Sequence, residues 1–273
     1  MIGRADSVRA AAFFDLDGTL LAGPPLERRF YGLLRERGEI GAKQIAGWLA
    51  EAARLAPRGL FALRHGNKMY LRGVRADAAA ALRSEFFSAA VAAEDGAGFN
   101  AAAPFFPEGM ERLAWHAREG HALVLVSGTL EPLAVLAAGA LEGALRAQGC
   151  RAVVRVCATR LEESGGRWTG RIADEPVAGA AKARAVERLA EREGFCLDCS
   201  YAYGNSHEDR FLLGAVGRPL AINPARQLGL LARRAGWPIL RWDGSGAQRR
   251  DRAAAARVDE ATKVTKSLWE PNV

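Results

Sequence analysis

No apolar run in this chain approaches the roughly 20 residues a membrane-spanning helix needs. The first ten residues, MIGRADSVRA, also lack the apolar stretch of a secretory signal. The expected location is the cytoplasm, with no membrane partner. Lysine is scarce: of 38 Lys and Arg it supplies only positions 43, 68, 182, 263 and 266, and arginine the other 33. The arginines are scattered, and neither a helix-turn-helix nor a base-stacking aromatic motif accompanies them. The formal charge of +7 therefore fits an anionic small molecule at least as well as nucleic acid. Cysteine is sparse as well, with Cys150, Cys157, Cys196 and Cys199. A single C-x-x-C falls short of the four ligands zinc normally takes, so buried, reduced thiols are expected.

What is present suits a globular protein. The 273 residues, 49% hydrophobic and 25% charged, are enough for one large domain or for a core with an inserted second domain. The chain is organised around AAFFDLDGTLL, residues 11–21. Its apolar start reads as a buried strand that runs into a loop at Asp and Gly. Along an extended strand Asp15 and Asp17 would share one face, with Leu16 opposed. Alone, the stretch reads equally well as an ordinary strand-to-turn boundary.

Residues 26 to about 95 lose strand character. Leu26, Phe30, Leu33 and Leu34 fall at helical spacing, as do Ile40, Ile45, Trp48, Leu49 and Leu55 before Pro57. FALRHGNKMYLRG and ADAAAALRSEFFSAAVAAE continue the pattern, so four or five helices without strands are expected here. Beyond residue 105 strand and helix alternate: a strand at 122–126 ending in Ser127-Gly128-Thr129, AVVRVCAT, a hairpin in ESGGRWTGRI, a helix at 178–193, CSYAYG, PLAIN and WPILRW. That alternation predicts an α/β fold, a doubly wound parallel sheet, with residues 1–22 and 105–245 as core, 23–104 as an inserted α-helical cap and 246–273 as a polar extension. Such sheets bind ligands beyond the carboxyl ends of their strands. Asp15/Asp17, Ser127/Gly128/Thr129 and Asn205/Ser206/Asp209 all follow strands, and their convergence favours a site over the boundary reading.

At such a rim a phosphate monoester meets suitable chemistry. Asp15 can attack phosphorus, and Asp17 can protonate the leaving alcohol and then activate water. Ser127 and nearby backbone N–H groups suit phosphate oxygens, and Lys182 can offset developing charge. Magnesium would relieve repulsion between carboxylate and phosphate.

Four motifs, DLDGT at 15–19, VLVSGT at 124–129, Lys182 in AGAAKARAVERL and YGNSHED at 203–209, occur in the order and spacing of the haloacid dehalogenase superfamily of phosphatases. The chain resembles its phosphoserine-phosphatase-like subfamily with a helical cap over residues 10–242. The resemblance implies Asp15 as nucleophile, Asp17 as general acid/base, Ser127, Gly128 and Lys182 as the phosphate grip, and Mg2+ held at Asp15, the Asp17 carbonyl, Asn205 and Asp209. The family pattern G-D-x-x-x-D departs at its first acid, since Asn205 offers a carbonyl oxygen without charge. Glu208 is expected to face solvent. Two readings follow: a phosphatase acting on a small phosphorylated metabolite with a weakened metal site, or a protein diverted to binding or to phosphoryl transfer. Phosphoserine is disfavoured as substrate, because Gly23, Pro24 and Pro25 stand where a cap Glu would bind its amine and Glu27 is the nearest acid. Glu27, Arg28, Arg64, His65, Lys68 and Arg72 in the cap, and His207 in the fourth motif, are candidate substrate contacts.

Overall fold

The computed structural model describes residues 9–80, 87 and 104–243. Among the described residues six strands, β1 Ala11–Phe14, β2 Ala122–Leu130, β3 Val154–Thr159, β6 Tyr201–Gly204, β7 Arg218–Ile222 and β8 Ile239–Leu240, form one sheet. Their order is β3-β2-β1-β6-β7-β8, every pair parallel. A separate antiparallel hairpin pairs β4 Leu161–Ser164 with β5 Arg167–Ile172, as the Gly-Gly turn predicts.

Strand β1 is fully buried, and its alternating side chains feed both layers. Ala12 and Phe14 join an apolar cluster with Met110 and Leu113 of α4 (Pro107–Arg118) and Leu133 and Ala137 of α5 (Glu131–Ala147). Ala11 and Phe13 join another with Val186 and Leu189 of α6 (Ala180–Glu193), Leu212 of α7 (Arg210–Gly214) and Leu228 of α8 (Arg226–Ala235). Helices on both faces of a parallel sheet make the fold α/β and doubly wound. The chain builds outward from β1 through β2 to β3, then returns to the other side of β1 for β6. The ends of β1 and β6 therefore flank the topological switch.

Between β1 and β2 lies the helical cap: α1 Leu26–Glu36, α2 Ala42–Leu55, α3 Leu60–Gly66 and short 3-10 turns at Met69–Leu71 and Ala76–Ala80. Helix α1 buries Leu26, Phe30, Leu33 and Leu34, as its spacing predicts. Helix α2 departs from expectation: Trp48 and Leu49 remain 38% and 57% exposed. The cap is not free of strand-like pairing either. Arg75 bridges Arg167 antiparallel, and Trp168 of β5, packed edge-on against Phe30, exchanges backbone hydrogen bonds with Gly73 and Val74. A second tie is the crossing itself, where the Ala22 N–H donates to the Pro104 carbonyl and the Phe106 N–H to the Leu20 carbonyl.

The helix expected in ADAAAALRSEFFSAAVAAE and the extension at 246–273 lie outside the described residues, apart from the turn at Ala76–Ala80 and the buried Phe87. Among the described residues no helix is long and apolar enough to cross a membrane. Cys150 is buried, but Cys157, Cys196 and Cys199 are half-buried, a correction to four buried thiols; none forms a disulfide.

Candidate active site

Strand β1 stops at Phe14, so a tight turn, rather than strand alternation, places the two aspartates. The N–H groups of Leu20 and Leu21 both donate to the Leu16 carbonyl and close the loop. Gly18 makes it possible: its φ is +82°, and a Cβ there would lie 2.2 Å from Nδ2 of Asn205. Position 18 must therefore be glycine for the first and fourth motifs to touch.

Asp15, 6% exposed, is anchored by the N–H it donates to the Tyr203 carbonyl. Its Oδ2 accepts from the Thr19 hydroxyl at 3.0 Å and its Oδ1 from Lys182 Nζ at 2.6 Å. The same Nζ donates to Asp209 Oδ1 at 2.6 Å. Lys182 sits in the first turn of α6 and is 4% exposed; Asp209 is wholly buried. Asp209 Oδ2 further accepts from the backbone N–H groups of Asn205 and Ser206 and from the Ser206 hydroxyl. With four donors on it, Asp209 stands behind Lys182 rather than at an open ligand position. Gly204 admits it, since a Cβ there would lie 2.5 Å from that of Asp209.

One lysine thus serves two buried carboxylates, and their titration differs accordingly. Burial, then the charge of Asp209, pushes the Asp15 carboxyl up to about 7. Asp209 is pulled the other way: burial opposes ionisation, but Lys182 and the Ser206 donors outweigh it. Lys182 is held charged by both carboxylates against the cost of its burial.

Asp17 turns toward the cap. Its Oδ1 accepts the Leu26 N–H at 2.7 Å, capping α1, and burial raises its carboxyl. Ser127, 1% exposed, accepts the Thr129 N–H at 3.2 Å. Ser127 and Gly128 lie within β2, which continues to Leu130, and α5 begins only at Glu131. Arg72 is exposed and its Cβ lies close to Gly170 of the hairpin. His207 has a buried Nδ1 without a partner among the described residues.

Two residues carry more than their sequence context signalled. Thr19, the last residue of DLDGT, holds the carboxylate of Asp15. Glu208, expected to face solvent, instead meets His65 of α3 at 3.0 Å and Arg64 at 3.7 Å. Glu27 accepts from Lys68 and from the Tyr70 hydroxyl, and these three line a cap cavity of about 650 Å³.

The family model for haloacid dehalogenase-like hydrolases matches residues 12–213, and the chain belongs to that family. It is 31% identical over 236 residues to a putative hydrolase of Mycobacterium leprae, covering 84% of this chain and 72% of that one. It matches a Mycobacterium tuberculosis protein named phosphoserine phosphatase at 31% identity, over 84% and 70%. Among solved structures, a protein of unknown function from Bordetella pertussis superposes with a TM-score of 0.64 at 25% identity, covering 86% of this chain and 99% of that one. A probable phosphoserine phosphatase from Vibrio cholerae shares the fold, with a TM-score of 0.57 at 16% identity over 93% and 68%.

Proposed function

We propose that this hydrolase is a magnesium-dependent phosphatase that cleaves a small phosphate monoester through an aspartyl-phosphate on Asp15. The observation that carries the reading is the buried Asp15–Lys182–Asp209 triad at the switch of the sheet. A carboxylate oriented through both oxygens at the carboxyl end of its strand suits in-line attack, and a shared lysine suits a phosphoryl group carrying charge. The relatives named as phosphatases point the same way.

In the first step an oxygen of Asp15 bonds to phosphorus while the ester P–O bond breaks. Asp17 gives its proton to the departing alkoxide, a role suited by its raised carboxyl. In the second step water attacks phosphorus, Asp17 takes the proton back, and the bond to Asp15 breaks to release phosphate. Ser127, Gly128 and Lys182 hold the non-bridging oxygens, and Asp209 positions Lys182.

The donor set fits magnesium. Lys182 bridges the Asp15 and Asp209 carboxylates, and the hard oxygen donors this loop cluster offers are the Asp15 carboxylate, the Asp17 carbonyl and the Asn205 side-chain carbonyl. These would hold the ion, whose charge offsets repulsion between the carboxylate and the incoming phosphate. Only one of the three ligands is a carboxylate, since Asp209 is engaged elsewhere. That is consistent with no trio of His, Cys, Asp or Glu grouping as a metal site among the described residues. The same proposal takes 23–104 as cap, a phosphorylated metabolite as substrate and the cytoplasm as location.

The test is magnesium-dependent release of phosphate from an aryl phosphate. Wild-type protein is expected to release it and Asp15→Asn to fail; activity retained in Asp15→Asn overturns the mechanism.

A further inference from the structure

The cap cavity is oddly furnished for a small hydroxy amino acid. It is about 650 Å³, within the range of roughly 300–1,000 Å³ typical of small-molecule sites. It adjoins the reaction site, because its Glu27 directly follows Leu26, whose N–H is held by Asp17, and its Arg64 reaches toward Glu208 of the fourth motif. Four cations and one carboxylate line it. Lys68 is already committed to Glu27, and Arg64 is drawn to Glu208. Arg28 and Arg35, two helical turns apart along α1, line the cavity with no ion pair among the described residues. Between them in sequence Tyr31 presents its ring, braced edge-on against Tyr70 at 5.5 Å. Trp48 of α2 also lines the cavity and is 38% exposed, while the buried Asn67 donates Nδ2 to its backbone carbonyl at 2.9 Å. A braced tyrosine and an uncovered tryptophan give the cavity aromatic surface, and two-torsion aromatic side chains lose little entropy on contact with a ligand.

We propose that this cavity receives the leaving group of an acidic aromatic phosphate ester, with its ring against Trp48 and Tyr31 and a second anion held by Arg28 and Arg35. The inference rests on the phosphatase reading for its chemistry but not for its binding. Guanidinium groups with no ion pair among the described residues match a carboxylate or second phosphate, and aromatic walls favour a flat ring over an aliphatic chain.

The test is a two-by-two substrate set: 4-carboxyphenyl phosphate (ring and anion), phenyl phosphate (ring alone), 3-phosphoglycerate (anion alone) and ethyl phosphate (neither). In wild-type protein kcat/KM for 4-carboxyphenyl phosphate should exceed that for either singly endowed ester by about tenfold or more, as one charge-assisted bond or one stacked ring predicts. Arg35→Ala should shrink the preference for 4-carboxyphenyl over phenyl phosphate, and Trp48→Ala the preference for 4-carboxyphenyl phosphate over 3-phosphoglycerate. In parallel, calorimetry of the products should show 4-hydroxybenzoate binding wild type about tenfold more tightly than phenol. Turnover of all four esters at similar kcat/KM, or equal binding of the two phenols, overturns the proposal. Selective binding of 4-hydroxybenzoate with no turnover of any ester would instead sustain the cavity assignment and overturn the phosphatase reading.

Discussion

The rim of the sheet and the cavity of the cap treat charge in opposite ways. At the rim the charged groups are buried and answered: Lys182 meets Asp15 and Asp209, and Asp209 meets three further donors. In the cap, Glu27 is answered by Lys68 and Tyr70, but Arg28 and Arg35 stand exposed at the cavity without ion pairs among the described residues. Burial explains the contrast. A charge taken from water costs several kcal/mol unless partnered, so the rim tolerates no vacancy, whereas exposed guanidiniums keep their hydration until a ligand displaces it. Substitutions at the rim should therefore damage both chemistry and stability, and those in the cap should change selectivity.

The largest effect should come from Asp15→Asn, which removes the nucleophile while keeping its shape. We expect a loss of phosphate release on the order of 10³-fold or more with binding of inorganic phosphate retained. Lys182→Met comes next. It leaves Asp15 and Asp209 buried without their shared cation and should cost about 3–5 kcal/mol in urea unfolding, besides activity. A mild stability effect there would break the contrast between the two regions.

The same rule governs a buried group that the chemistry does not use. His116 is wholly buried between His121 and the Tyr203 hydroxyl, and burial, then the charge of His121, holds its pKa well below the ordinary value. The folded protein then resists a proton that the unfolded chain accepts. Stability is full above the unfolded pKa of about 6.5 and falls as pH drops below it, by up to about 1.4 kcal/mol per unit. Stability should therefore fall as pH drops from 6.5, and His116→Phe, though weaker at neutral pH, should show a flatter profile in urea unfolding.

Asn205→Asp probes the edge of the rim. Supplying a charged oxygen beside Asp15 should lower the magnesium concentration for half-maximal activity by about tenfold, since even outer partners of a metal are worth 10–100-fold. In chelator the same substitution should destabilise the protein, because it adds a negative charge near two others. An inactive wild type whose Asn205→Asp form is active would favour the diverted reading.

The rim was largely legible because its residues follow strands. The apolar runs locate β1, β2 and β6, the ends of β1 and β6 fix where Asp15 and Asn205 emerge, and parallel pairing of β1 with β2 and β6 sets Ser127, inside the longer β2, alongside them. What periodicity missed depends on tertiary neighbours. Trp48 and Leu49 carry a helix-face spacing on α2 yet stay exposed, and Trp48 lines the cap cavity instead of core. Arg75 to Arg167 pairing joins cap to hairpin across more than ninety residues, a distance at which no local pattern speaks. Asp17 looked like a strand-face partner of Asp15, but its carboxylate instead caps α1.

Glu208 is the hardest case, since a glutamate beside Asp209 in a polar loop has every reason to point to water. The cap supplies the reason it does not. His65 lies close over Gly128, and its ring is half-buried, so burial lowers its pKa while Glu208 pulls it back up. The contact joins α3 of the cap to the fourth motif of the core. Glu208 is partly exposed, so the pair should be worth no more than about 1 kcal/mol to stability. Its effect should appear in cap closure: Glu208→Gln is expected to raise KM about two- to threefold while changing kcat less, because the amide keeps a hydrogen bond but not the charge. An unchanged KM together with a reduced kcat would move Glu208 from the tie between cap and core into the rim's own electrostatics, and the division between the two regions would have to be redrawn there.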